Sequence, residues 1–279
     1  MRTLMDVQTL RERMISGQRT VLLDVRWKLG DRDGDGQRRY RQAHIPGAVY
    51  VDLPSQLASA PSAAGGRHPL PEPEAFREAA RDWGINNDDV VVAYDDNGGL
   101  SAARVWWLLR DGGFDAVYLL DGGLAAWRAE GYELDNGDEL ASLGNVQLGS
   151  GRMPRLELDD VLDFAGTSLL LDARAAERYR GEQEPVDPRA GHIPGAVNAP
   201  TTENLAPGGQ FLPAAELAAR FKDLGADGRD VAVYCGSGIN AAHQIAALAE
   251  AGIDAALFPG SWSQWCGHPD LPIATGATP

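Results

Sequence analysis

Residues 20–27 read TVLLDVRW and residues 44–53 read HIPGAVYVDL; further on, residues 168–175 read SLLLDARA and residues 192–198 read HIPGAVN. The stretch occurs twice. Asp24 matches Asp172, Arg26 matches Arg174 and His44 matches His192, each pair 148 residues apart. A second block repeats too. Residues 90–131, VVVAYDDNGGLSAARVWWLLRDGGFDAVYLLDGGLAAWRAEG, answer to residues 231–265, VAVYCGSGINAAHQIAALAEAGIDAALFPGSWSQW. There Tyr94 pairs with Tyr234, Gly123 with Ser261 and Trp127 with Trp265. Self-similarity on this scale decides the fold before any local reading does.

Within each half the pattern alternates. VLLDV and LLLDA are short apolar runs ending in charge, as buried strands do. VVVAY and VAVYC are two more, and AVYLLDGG and AALFPGS close each half. LSAARVWWLLRDGG and INAAHQIAALAEAG between them have helical spacing and end in Gly, a helix stop. Strands alternating with helices predict an α/β fold with a mostly parallel sheet flanked by helices. The chain therefore divides into two tandem domains of one fold, residues 1–136 and 155–279. The polar, Gly-containing stretch 137–154 between them reads as a linker.

Composition agrees and excludes much else. The chain has 279 residues, 44% hydrophobic and 23% charged, which is ordinary globular composition. Its net charge of −15 repels phosphate backbones, so nucleic acid is not an expected partner. Two cysteines exclude a disulfide scaffold, and with five scattered His they give no metal-ligand spacing. No metal and no organic cofactor are expected. No apolar run approaches the roughly 20 residues that span a bilayer, and MRTLMDVQTLRERM lacks a signal-peptide core. The expected setting is the cytoplasm, away from membranes, where thiols stay reduced.

A duplicated chain carries its own control: features in both halves are fold, and features in one half are candidates for the site. The DxR pairs, the HIPGA turns with His192, and the Trp127/Trp265 pair fall in the first class. The halves part company after one strand. VVVAY is followed by Asp95, whereas VAVY is followed by Cys235-Gly236-Ser237-Gly238-Ile239-Asn240. Ligands of open α/β sheets bind beyond the carboxyl ends of strands. A thiolate is the nucleophilic form of Cys, whose free pKa is about 8.5. Gly236 and Gly238 let backbone N–H groups turn inward, and a helix N-terminus follows; both favour an anion on sulfur.

Three rivals use the same residues. Gly236 to Ala241 matches G-x-G-x-x-A, but it lies too near the end of the chain to open a dinucleotide-binding unit. A cysteine phosphatase needs an Arg six residues after the Cys, where this chain has Ala241. A Cys–His hydrolase would need His243, which on the following helix points elsewhere and suits a surface or packing role. Cys266 reads as a packing cysteine.

The combination DxR…HIPGA, twice, with SAARVWW…LLDGGLAAW in the first half and RYRG, CGSG and PGSWSQW in the second, resembles the two-domain rhodanese sulfurtransferases. The resemblance covers nearly the whole chain and implies two tandem rhodanese-like domains, the first a catalytically inactive copy with Asp95 in place of Cys. CGSGINA is similar to the loop of the 3-mercaptopyruvate members, CGSGVTA, with Asn240 for Thr; thiosulfate members carry basic residues there.

The resemblance implies roles. Cys235 is the sulfur-accepting nucleophile, and Gly236, Gly238, Ile239 and Asn240 belong to its substrate-binding cradle. Ser237 relays protons, His44 is the interdomain His beside it, and Asp35 is the acidic partner of that His, with Asp31 and Asp33 close by. Arg178 binds the substrate carboxylate; its first-half counterpart is Gly30. Arg189, eleven residues on where the family has nine, is the second substrate-binding Arg. The implied activity moves a sulfane sulfur from 3-mercaptopyruvate, a small-molecule donor, through a Cys235 persulfide to cyanide, a thiol or a thioredoxin-like acceptor, in a monomer. Two alternatives stay open: a thiosulfate:cyanide sulfurtransferase, and a non-enzymatic persulfide carrier or sensor.

Overall fold

The structure, a computed structural model, describes residues 3–279. Two parallel sheets form its frame. The first holds β1 (Leu4–Met5), β2 (Thr20–Asp24), β3 (Ala48–Tyr50), β4 (Val90–Tyr94) and β5 (Val117–Leu120), in the order β1-β5-β4-β2-β3. The second holds β6 (Leu169–Asp172), β7 (Val197–Asn198), β8 (Val231–Tyr234) and β9 (Ala255–Leu257), in the order β7-β6-β8-β9. The register repeats: Asp24 lies opposite Tyr94 and Asp172 opposite Tyr234. The six long apolar runs of the sequence are strands here. The structure adds short edge strands, too brief to show a period: β1, and β3 and β7 after the HIPGA turns.

The repeated motifs hold each sheet to its loops. Arg26 pairs with Asp24 at 2.7 Å and Arg174 with Asp172 at 2.6 Å, all four buried. Arg26 also donates to Arg39 O, and Arg174 to Gly191 O. His44 stacks on Tyr40 with ring centroids 4.1 Å apart, and His192 on Tyr179 at 3.7 Å. Each His places Nδ1 on the carbonyl oxygen of its Tyr, at 3.0 and 2.8 Å. Trp127 and Trp265 are buried in the two cores.

The domains meet through two helices. Ala102–Asp111 follows the Asp95 loop, and Ile239–Glu250 follows the Cys235 loop. Every residue of the first helix is buried, as the apolar, all-round pattern ARVWWLL requires. The two helices pack on each other inside the largest apolar cluster, which spans both domains. The two post-strand loops are thus brought to one interface. No helix among the described residues is long and apolar enough to cross a membrane.

Candidate active site

Cys235 follows the last residue of β8 and is 3% exposed. Gly238 N–H points at its sulfur, 3.2 Å away. Behind it, Cys235 N–H donates to Ser261 Oγ at 3.1 Å, and that hydroxyl donates to Phe258 O. Gly238 adopts φ +81°, and a Cβ there would lie 2.5 Å from Pro259 O, so glycine is required.

The first domain shows what this loop geometry holds. Asp95 fills the matching place after β4, fully buried, and its carboxylate accepts N–H bonds from Asn97, Gly99, Ser101 and Ala102 at 2.8–3.0 Å. Burial, the larger effect, holds its carboxyl above the usual range, and the four amides pull it part of the way back. A loop of this fold is therefore an anion holder, occupied in one domain by a side-chain carboxylate.

Two guanidinium groups converge on the Cys235 loop. A Cβ on Gly236 would lie 3.2 Å from Arg67 Nη2 and 3.3 Å from Arg178 Nη1. Arg178 is held by Glu184 at 2.6 Å and Asp187 at 3.4 Å, and Arg67 by Asp187. These arginines face a cavity of about 210 Å³. Its other walls are Trp27 and Leu29 of the first domain and Ala173–Ala175, Thr201, Thr202, Cys235, Ser237, Ile239 and Asn240 of the second.

Ser237 Oγ lies 2.8 Å from Nδ1 of His68. Burial, reinforced by the charges of Arg104 and Arg67, pushes the His68 pKa down to about 4. The imidazole is therefore neutral at pH 7, able to take a proton from the hydroxyl side or return one. The Gly65-Gly66-Arg67-His68 loop docks on the second domain: Arg67 N–H donates to Ser263 Oγ at 3.1 Å, and Gln264 donates to Ala64 O. A Cβ on Gly66, at φ +80°, would lie 2.7 Å from Gly260 O, so only glycine allows this approach.

Of the residues singled out from sequence, Cys235, Gly236, Ser237, Ile239, Asn240 and Arg178 come together at the cavity, with Gly238 beneath the sulfur. Three do not join them. His44 is corrected: it is the stacked twin of His192, and the imidazole beside Ser237 is His68. Asp35 opens the helix Asp35–Gln42 and bonds Arg32 N and Arg38, which hold its carboxyl below the usual range. Arg189 donates to the carbonyls of His268 and Leu271 and pins the C-terminal segment; the second guanidinium at the cavity is Arg67. The repeat held the missing signal. GGRHPLP (65–71) answers to GGQFLP (208–213), and Arg67 and His68 stand where the second half has Gln210 and Phe211.

His243 is buried, not at the surface. It stacks on Phe211, and its ring nitrogens lie 2.7 Å from Thr201 Oγ1 and 3.1 Å from Gly98 O. Cys266 is buried with the second core, and burial pushes its thiol up.

A thiol in an anion-holding loop, roofed by arginines from two α/β repeats, defines a class: tandem proteins that carry a reacting group on a cysteine between their domains. The Rhodanese-like domain family model matches residues 6–130 and 156–268, and the chain belongs to the rhodanese family. A Mycobacterium tuberculosis protein provisionally named thiosulfate sulfurtransferase SseB is 46% identical over 94% of this chain and 93% of its own. A Pseudomonas aeruginosa protein provisionally named 3-mercaptopyruvate sulfurtransferase is also 46% identical, over 92% of each chain. The crystal structure of SseA, a 3-mercaptopyruvate sulfotransferase from Escherichia coli, matches with a TM-score of 0.83 and 33% identity, over 94% of this chain and all of that one.

Proposed function

We propose that this protein transfers a sulfane sulfur from 3-mercaptopyruvate, through a persulfide on Cys235, to a thiophilic acceptor. The observation that carries the reading is the pair Arg67 and Arg178 meeting over Gly236, one from each domain, beside the Cys235 sulfur. Two guanidinium groups converging on a small cavity suit a carboxylate. The residues that follow Cys235 in its loop are uncharged, so the cations available to a carboxylate come from outside it, on Arg67 and Arg178.

The chemistry follows from the placement. Cys235 thiolate attacks the donor sulfur, the S–S bond forms and the S–CH₂ bond breaks, leaving pyruvate enolate. The donor's thiol proton passes to the enolate carbon through Ser237 and neutral His68, so that pyruvate and an ionised persulfide result. The Gly238 N–H and its neighbours hold that anion as the first domain's amides hold Asp95. Cyanide, a thiol or a thioredoxin-like protein then takes the outer sulfur and restores the thiolate. The first domain is catalytically silent because Asp95 occupies its loop. One chain supplies every group, so a monomer suffices, and a reducing compartment such as the cytoplasm keeps Cys235 free.

Intact mass after incubation with 3-mercaptopyruvate, and separately with thiosulfate, tests the reading. A gain of about one sulfur, about 32 Da, on Cys235 and its removal by cyanide are expected, with faster loading from 3-mercaptopyruvate. Faster loading from thiosulfate would favour the second reading, which the mycobacterial relative's name supports. Stable loading with no turnover would mark a persulfide carrier.

A further inference from the structure

Arg104 lies on the first-domain helix Ala102–Asp111 and is 0% exposed. A guanidinium this deep is ordinarily paired with a carboxylate. Here all its acceptors are carbonyl oxygens: Leu57 and Gly238 at 3.2 Å, His68 at 2.9 Å and Pro69 at 3.3 Å. The other arginines around the Cys235 loop are matched. Arg174 has Asp172 and Glu184, Arg178 has Glu184 and Asp187, and Arg67 has Asp187. Among the described residues Arg104 has no carboxylate partner. Burial pushes its pKa down to about 10, which leaves it charged at neutral pH.

At the matching place of the internal repeat, the cross-domain contact is made by a histidine instead. Ala102-Ala103-Arg104 answers to Ala241-Ala242-His243. His243 reaches across to Gly98 O as Arg104 reaches across to Gly238 O, and Gly98 and Gly238 each stand three residues after Asp95 and Cys235. Where the loop holds a fixed carboxylate, the opposite domain sends a buried imidazole whose pKa burial pushes down to about 4. Where the loop holds sulfur, it sends a cation.

We propose that Arg104 is a positioning residue of sulfur transfer: it ties the His68 strap to the Gly238 turn across the domain interface, and its unmatched charge favours the anion formed on Cys235. Two arms of one fork reach Gly238 O and His68 O, so the proton-relay pair and the cradle are set by a single rigid group. The charged and titratable groups around the Cys235 loop with it are Arg67, Arg174 and Arg178, with Glu184 and Asp187 beside them, and His68.

Two variants separate the parts. Arg104→Lys keeps the charge and loses the fork. Its kcat with 3-mercaptopyruvate is expected to fall at least about tenfold, with KM within about threefold. Arg104→Met removes the charge and keeps the stem. The rate of iodoacetamide alkylation of Cys235 at pH 7, read on its peptide by mass spectrometry, is expected to fall about tenfold, whereas Arg104→Lys keeps it within about threefold. A Lys variant with wild-type kcat overturns the positioning role. A folded Met variant alkylated at the wild-type rate overturns the electrostatic one. If Met does not fold, Arg104→His, the residue this chain carries at the matching place, gives the same comparison above pH 7. The kinetic arm rests on the sulfurtransferase reading; alkylation needs no substrate, and wild-type turnover shows which of the two has failed.

Discussion

His68 and Ser237 lie 169 residues apart in the chain and 2.8 Å apart in space. The contact crosses the domain interface, and neither residue has a counterpart of its own type in the other half. His44, the histidine of the first HIPGA turn, is fully buried against Tyr40. The two imidazoles should separate cleanly in experiment. His68→Asn should lower kcat with 3-mercaptopyruvate by about 10²-fold, the usual size of a lost proton-transfer group. His44→Asn should lower the melting temperature and leave kcat within about threefold. A reversal of these two results in steady-state assays and thermal melts would return the relay to His44.

Arg67 and Arg178 should act on substrate binding as a pair. Replacing either with Lys loses a bidentate fork, and kcat/KM for 3-mercaptopyruvate should fall by about 10- to 100-fold, mostly through KM. Arg189→Lys leaves the cavity untouched and should keep kcat/KM within about threefold. Loss of affinity in Arg189→Lys alone would contradict this assignment.

Asp95 should be a stabilising plug. Asp95→Ala strands three buried N–H donors and a part-buried one and should cost on the order of 3 kcal/mol in chemical denaturation. Asp95→Cys in a Cys235→Ser background puts a thiol in the first loop, but Gln210, Phe211 and His243 stand there in place of Arg67, His68 and Arg104. That double variant should show less than about one thousandth of wild-type turnover. Appreciable activity would mean that the loop alone suffices.

His243 gives a pH signature of stability. Its folded pKa is about 4 against an ordinary 6.5, with burial as the main cause. The unfolded chain therefore binds this proton first as pH falls. The stabilisation is complete above pH 6.5 and is lost as pH falls toward 4. At 1.36 kcal/mol per unit, the loss is about 3 kcal/mol. Comparing unfolding free energies at pH 7 and pH 4, His243→Gln should lack that share of the acid destabilisation. Equal pH dependence in the two proteins would refute it.

The amino-acid sequence by itself determined the duplicated α/β frame, the DxR and HIPGA clamps, and the Cys235 loop. Each is written in neighbouring residues: apolar runs that end in charge, a glycine where a turn needs one, a cysteine that breaks the repeat. Local backbone preference and the burial of a strand suffice to place them. Only the tertiary structure decided which side chains complete the site. Arg67, His68 and Arg104 reach the Cys235 loop because two buried helices, Ala102–Asp111 and Ile239–Glu250, pack across the domain interface and press each domain's loops on the other's. That packing is set by apolar surface buried between distant segments; the repeat marks His68 as present in one half only, but not that it touches Ser237.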